Sequence, residues 1–232
     1  MNKAMGVCAG AWSCAASGAA GLALVLAPAA LAGPEWPEVG DAGPLPLSAQ
    51  SVVGTGPLSR ISGELTGTAP LPGLGLGDVQ DMYLIRIADP MNFLATTDGT
   101  GGSFAAFNAN LFLFTLDGRG LLGNLGFGPA ATLTSAATDA SGAELVAPGD
   151  YYIAISGGFS VPVALPGPIF NFGIPGEVSG PDGPGGFDPI LFWGGPTEIG
   201  LYRIYLEGAV FIPAPGTVLV FGLAAAAARR RR

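Results

Sequence analysis

The chain has no histidine, a single lysine (Lys3) and only two cysteines, Cys8 and Cys14. The absence of histidine excludes the His-containing catalytic triads and most zinc sites. Residues 33–212 hold neither cysteine nor lysine. Thiol chemistry, disulfides and a serine or threonine nucleophile with a lysine base are therefore excluded there. That stretch of 180 residues must be held by its core alone, which its size permits.

Positive charge is scarce as well. Lys3 and Arg229, Arg230, Arg231 and Arg232 lie at the ends of the chain, which leaves Arg60, Arg86, Arg119 and Arg203 to face all seventeen acidic residues. Residues 33–212 thus carry a net −13, four arginines against seventeen carboxylates, where the whole chain carries −8. Such a surface repels nucleic acid and anionic lipid, so no nucleic-acid partner is expected. It suits solubility or divalent cations. Thirty-nine glycines and twenty-one prolines argue against long helices and for many turns, while a hydrophobic fraction of 49% argues against disorder.

Both ends read as address labels. Met1-Asn2-Lys3 supplies a positive start, Gly18–Leu26 an apolar run, and Ala30-Leu31-Ala32 the small residues before Gly33. This layout predicts a signal peptide over residues 1–32, exported through the Sec translocon and cut by signal peptidase between Ala32 and Gly33. A first core helix fits less well, because Pro28, Gly33, Pro34 and Pro37 follow at once. Neither cysteine has the leucine three residues upstream that lipidation requires. At the other end, Thr217–Ala228 is an apolar run of twelve residues followed by the four arginines. As a helix it is about 18 Å long against roughly 30 Å of bilayer hydrocarbon, so it suits transient insertion better than permanent anchoring. The arginines would keep its end on the cytoplasmic side.

Residues 213–232 resemble the bacterial PEP-CTERM sorting signal. The resemblance is carried by Pro213-Ala214-Pro215-Gly216-Thr217, the short apolar helix and the arginine cluster. That class usually has glutamate between the two prolines, where this chain has Ala214. The resemblance implies processing near Pro213 to Thr217 by an exosortase-type membrane protease. It also implies a place at the cell surface or in the extracellular matrix.

Between the labels, prolines at 34, 37, 44, 46 and 57 mark residues 33–58 as an extended spacer. The sandwich domain is expected over 59–212. Tyr83, Ile85 and Ile87 alternate with Met82, Leu84 and Arg86. Asn110–Leu116 is apolar on both faces, as in a central strand, and Asp117-Gly118 turns the chain. Tyr151, Ile153 and Ile155 alternate again, and Ile190–Trp193 and Leu201–Leu206 complete the sheets. The pattern predicts an all-β, antiparallel β-sandwich of seven to nine strands, with exposed loops around Thr132–Gly142 and Gly157–Gly186.

Three stretches, Gly77–Tyr83, Phe107–Phe114 with Asp117-Gly118, and Ala147–Ile153, resemble in order the bacterial pre-peptidase C-terminal domain. This resemblance implies a jelly-roll-like sandwich. The family often places an Asn-Asp-Asp run after the central hairpin, where its carboxylates help hold calcium. This chain has Asn124-Leu125-Gly126-Phe127 there.

Candidate chemistry reduces to carboxylates and aromatics. Asp78, Asp81 and Asp117, with Asp98 and Asp150, offer oxygen ligands for calcium, but in no Asp-x-Asp-x-Asp pattern. Pairs such as Asp78 with Asp81, or Asp182 with Asp188, would be needed for glycoside hydrolysis, yet they sit where aspartates ordinarily cap turns. Phe187, Phe192 and Trp193, with Tyr202 and Tyr205, form a candidate sugar-stacking platform, although strand alternation more simply places about half of them in the core. Ile169–Ile174, flanked by Pro168 and Pro175, reads either as an exposed apolar loop or equally as another buried strand. The expectation is a non-enzymatic exported surface or matrix protein that needs no cofactor and has extracellular polysaccharide as a candidate partner. The alternatives are a carbohydrate- or calcium-binding module and, third, a carboxylate hydrolase.

Overall fold

A computed structural model describes residues 34–67, 77–99, 102–126 and 128–214. The expected signal peptide with Ala30, Ala32 and Gly33, and the tail from Pro215 through Gly216, Thr217 and the arginines, lie outside the described residues. Among the described residues there is no helix.

The strands follow in order. β1 (Glu35–Pro37), β2 (Gln50–Ser51) and β3 (Arg60–Leu65) precede the long β4 (Gln80–Ile87). β5 (Leu94–Thr96), β6 (Asp98–Gly99) and β7 (Gly102–Ser103) lead to β8 (Ala109–Phe114) and β9 (Gly120–Leu125). β10 (Thr132–Thr134) stands before β11 (Gly149–Gly157), followed by β12 (Val161–Ala164), β13 (Gly167–Pro168) and β14 (Val178–Ser179). β15 (Phe192–Gly194), β16 (Gly200–Glu207) and β17 (Ala209–Val210) close the series.

Two sheets carry the fold, one of five strands in the order β1-β3-β16-β5-β10 and one of seven. The larger runs β14-β9-β8-β11-β4-β17, with β2 also on β4. They pack face to face as a β-sandwich. Strand alternation decides what fills the space between them. Tyr83, Ile85 and Ile87 of β4, Leu111 and Leu113 of β8, and Ile153 and Ile155 of β11 point inward from the larger sheet. Ile61 and Leu65 of β3 and Tyr202, Ile204 and Leu206 of β16 meet them from the smaller one. Leu201, Arg203 and Glu207 alternate with these on β16 and are exposed, so the smaller sheet is solvated on its outer face.

The larger sheet is covered on both faces. Phe112, Phe114 and Met82 point away from the main core into a second one, where Ile169, Phe170 and Ile190 bury them. Phe112 packs its ring 5.7 Å from Phe170 and 5.3 Å from Trp193. The apolar-on-both-faces pattern of β8 therefore reports two cores, one on each face of the larger sheet. The segment 157–186, expected as an exposed loop, supplies much of that second layer. Its glycines and prolines hide short strands and buried anchors in what reads as turn sequence. Ile169 and Phe170 are buried within it, while Ile174 is exposed. Thr132–Thr134, also expected in a loop, is the edge strand beside β5, with Leu133 buried. The run Ile190–Trp193 joins neither main sheet. Its end forms β15 in a three-stranded sheet with β12 and β13.

The proline-rich stretch 34–58 belongs to the sandwich rather than standing apart as a spacer. β1 pairs with β3 and β2 with β4, both in parallel, so the sheets are not wholly antiparallel. Ala42, Val52 and Leu58 are buried in the main core, and Trp36 Nε1 donates to Gln50 Oε1 at 2.8 Å. Proline holds the chain extended, and an extended chain at a sheet edge pairs readily while its missing N–H faces outward.

Truncating Phe170 tests the second core. Phe170→Ala should cost about 3–5 kcal/mol in urea denaturation while leaving a single transition. A loss below about 1 kcal/mol would show that the 157–186 segment is not part of the cooperative unit.

Candidate functional site

Asp81 has the same strand parity as Tyr83, Ile85 and Ile87, so β4 aims a carboxylate at the inter-sheet core. It is fully buried. Across the sandwich, β16 places Tyr202 on its own inward face, and the Tyr202 hydroxyl donates to Asp81 Oδ2. The Tyr83 and Tyr202 hydroxyls lie 2.5 Å apart. Since the Tyr202 proton is directed to Asp81, Tyr83 must be the donor to Tyr202, and the chain runs Tyr83 to Tyr202 to Asp81.

The N-terminal segment closes the site from outside. The Glu38 carboxylate is half-buried and accepts from the backbone N–H of Ala42 and of Glu64, each at 3.0 Å. Asp41 is exposed and accepts from Gly43 N–H at 2.9 Å. Glu38, Asp41 and Asp81 each present a carboxylate oxygen, all within 4.8 Å of one another. Asp78 sits just before β4 and accepts from the Thr66 N–H at 3.0 Å and its hydroxyl at 2.8 Å. Gly63 of β3 lies opposite Tyr202 in register. A Cβ at Gly63 would strike both the Tyr202 hydroxyl and Glu38 Oε2, so only glycine lets the two approach.

Negative charge accumulates here, and among the described residues no ion pair balances it. Burial pushes the Asp81 carboxyl up to about 8, against the Tyr202 hydrogen bond, and the charges of Glu38, Asp78 and Asp41 push the same way. Burial also raises Glu38, with Asp78 and Asp41 adding to it. The two tyrosines are raised by burial and by the neighbouring carboxylates. Asp81 Oδ1 and Asp78 Oδ1 are buried with no hydrogen-bond partner.

These residues fit a hard divalent cation. They offer only oxygen donors, enough negative charge to neutralise it, and orphaned oxygens that lack any other partner.

Of the residues expected from sequence, Asp78 and Asp81 come together and Asp117 does not. Asp117 lies on the turn after β8, where it accepts from Thr115 and pairs with Arg119 at 3.0 Å. Asp150 is held by Arg86 through two bonds of 2.7 and 3.1 Å. Glu38 and Asp41 were hidden inside the apparent spacer, although the parity of β4 already placed Asp81 inward.

The expected aromatic platform is divided. Tyr202 belongs to the core, and Trp193 packs on Phe112 with its Nε1 donating to Pro44 O at 2.7 Å. Phe187 and Phe192 are exposed beside the small sheet. Tyr205 instead faces outward from β16, 5.9 Å from Phe104. Beside these rings, a cleft of about 630 Å³ opens on the outer face of the five-stranded sheet, bounded by Glu35, Glu38, Glu64, Phe104, Leu201 and Arg203.

Comparison with protein-family models finds no match to this chain, and it matches none of the curated proteins.

Buried Asp81 makes stability depend on pH in an unusual direction. Unfolded, its carboxyl titrates near 3.8; folded, it holds its proton up to about 8. Between those values the folded state binds the extra proton, so stability should fall as pH rises, by up to about 1.4 kcal/mol per unit, and level off above about 8. Denaturation in chelator across this range should show that slope. Asp81→Asn, which keeps an oxygen for Tyr202, should flatten it; an unchanged slope would place the titration elsewhere.

Proposed function

We propose that this chain is an exported, non-enzymatic β-sandwich protein of the cell surface or extracellular matrix, sorted by an exosortase-type protease. The observation that carries this reading is the exposure of the first two residues of the motif. The final β-bridge joins Ile212 to Val53, and Pro213 and Ala214 beyond it are exposed. The described part of the motif Pro213–Thr217 is thus accessible, as a protease-read label requires. At the other end, β1 starts at Glu35, two residues past Gly33, so cleavage after Ala32 would leave every described strand in place. In this reading the pre-peptidase-type, jelly-roll-like kinship also holds. The stretches Gly77–Tyr83, Phe107–Phe114 and Ala147–Ile153 fall on β4, β8 and β11, which are adjacent in the larger sheet in the order β8-β11-β4.

Mass spectrometry of the protein recovered from its native cell surface should find Gly33 at the N-terminus and no arginine block. An intact Arg232 in the surface-exposed product would overturn the sorting reading.

A second reading, a calcium-binding module, is favoured by one observation, the orphaned buried Asp81 oxygen among converging carboxylates. A ligand that binds only the folded state must stabilise it, by about 2.7 kcal/mol at a hundredfold excess over Kd. Thermal melts in calcium should therefore exceed those in chelator, and Glu38→Gln should shrink the gain. Equal melts in the two conditions would end this reading.

A further inference from the structure

Four arginines serve the sandwich, and three are spent on carboxylates. Arg60 pairs with Glu35, Arg86 with Asp150 and Arg119 with Asp117. Among the described residues Arg203 alone forms no ion pair, in a stretch that carries seventeen acidic side chains. Its side chain is not stray. The guanidinium carbon lies 4.7 Å from the centroid of the Phe104 ring, and the backbone fixes the two residues together, with the Arg203 backbone N–H donating to Phe104 O at 3.0 Å. A guanidinium seated over an aromatic face keeps its donor edge free for an anion.

Alternation along β16 places Leu201, Arg203 and Tyr205 together on the outer face of the five-stranded sheet. Leu201 is 64% exposed, unlike its inward-facing neighbours. Glu64, opposite Leu201 in register, presents an exposed carboxylate. One cleft thus holds an anion-seeking guanidinium, an apolar floor of Phe104 and Leu201, and carboxylate acceptors along its other wall.

Each part fits a different feature of one ligand class. The C–H face of a pyranose stacks on an exposed ring or leucine, its hydroxyls donate to carboxylates, and a uronic-acid carboxylate takes a bidentate bond from arginine. Nucleic acid fits poorly, since every nucleotide would bring a phosphate to this acidic surface, on which Arg203 is the one cation without an ion pair among the described residues. A densely charged polyuronate is repelled for the same reason. We infer that the outer face of the five-stranded sheet binds a polysaccharide strand with spaced uronic-acid units, seated on Phe104 and Leu201 with a carboxylate on Arg203. The inference rests on the surface or matrix reading above for its setting, but its test is independent of localisation.

Calorimetric titration of the purified full chain with oligosaccharides of a sparsely carboxylated bacterial polysaccharide, such as gellan, tests it. Saturable binding that weakens with added salt is expected, and none to the same oligosaccharides after carboxyl reduction. Arg203→Ala should weaken binding about tenfold or more. It should leave the melting temperature within about 2 °C, because the side chain is exposed. Arg86→Ala, on a pair outside the cleft, should bind as the unaltered chain does. Phe104→Ala should also weaken binding, with its melt run beside it. Equal affinity for the carboxyl-reduced oligosaccharide, unchanged affinity in Arg203→Ala, or no binding at all would overturn the proposal. Failure here with Gly33 and the trimmed C-terminus found by mass spectrometry would leave the sorting reading intact.

Discussion

The fold depends on the burial of both faces of the strands at the centre of the larger sheet. β8 has every residue buried, and β11 beside it and β4 beyond β11 are buried over most of their length. No cysteine lies in residues 33–212 to cross-link the chain, so apolar burial must supply what a disulfide would. A sheet covered on one face would leave Phe112, Phe114 and Met82 in water. The segment from Val161 to Ile190 prevents this, and its short strands and turns are ordered by the aromatic cluster that they cover. The second layer and the central strand therefore require one another.

The same alternation that builds the main core delivers a carboxylate into it at one end. Asp81 shares the inward parity of Tyr83, and an ionised aspartate there is costly. Three features of the surroundings fit around that cost. Tyr202 donates to it from the opposite sheet, Tyr83 supports Tyr202, and Gly63 leaves room for Tyr202 and Glu38 to approach. Glu38 and Asp41 bring more negative charge rather than relief. A site that only needed to bury an acid would have recruited an arginine. This one gathers oxygens, and that composition is why a divalent cation is the economical partner for it.

The central strands were legible because their signal is dense. β4, β8, β11 and β16 each run six residues or more, and their alternation reads directly from the side chains. The parity of Tyr202 with Ile204 and Leu206 likewise marks it as core rather than sugar platform. The edges were not legible. β1 and β2 span three and two residues, too few for a period to show, and their prolines read equally well as a linker. Half of the candidate site was lost with them, because Glu38 and Asp41 lie between those strands. The second core was missed for a related reason. Its anchors, Ile169 and Phe170, are isolated between prolines and glycines, so only their contact with Phe112 and Phe114 shows them to be buried.

Charge ties the two surfaces of this molecule to its surroundings. With four arginines against seventeen carboxylates, every guanidinium is valuable, and three are used to hold neighbouring side chains in place. Arg203 forms no ion pair among the described residues, although its charge reaches the Glu35 carboxylate across the cleft. Surface ion pairs contribute little to stability, so the fold loses little by this. The consequence falls on recognition: in a strongly negative field, one ordered cation beside an aromatic ring selects an anionic group while the rest of the surface rejects densely charged polymers. Selection of that kind favours ligands whose charges are sparse and whose remaining surface is hydroxyl and C–H. The outward face of β16 is the part of the described structure where all those requirements meet.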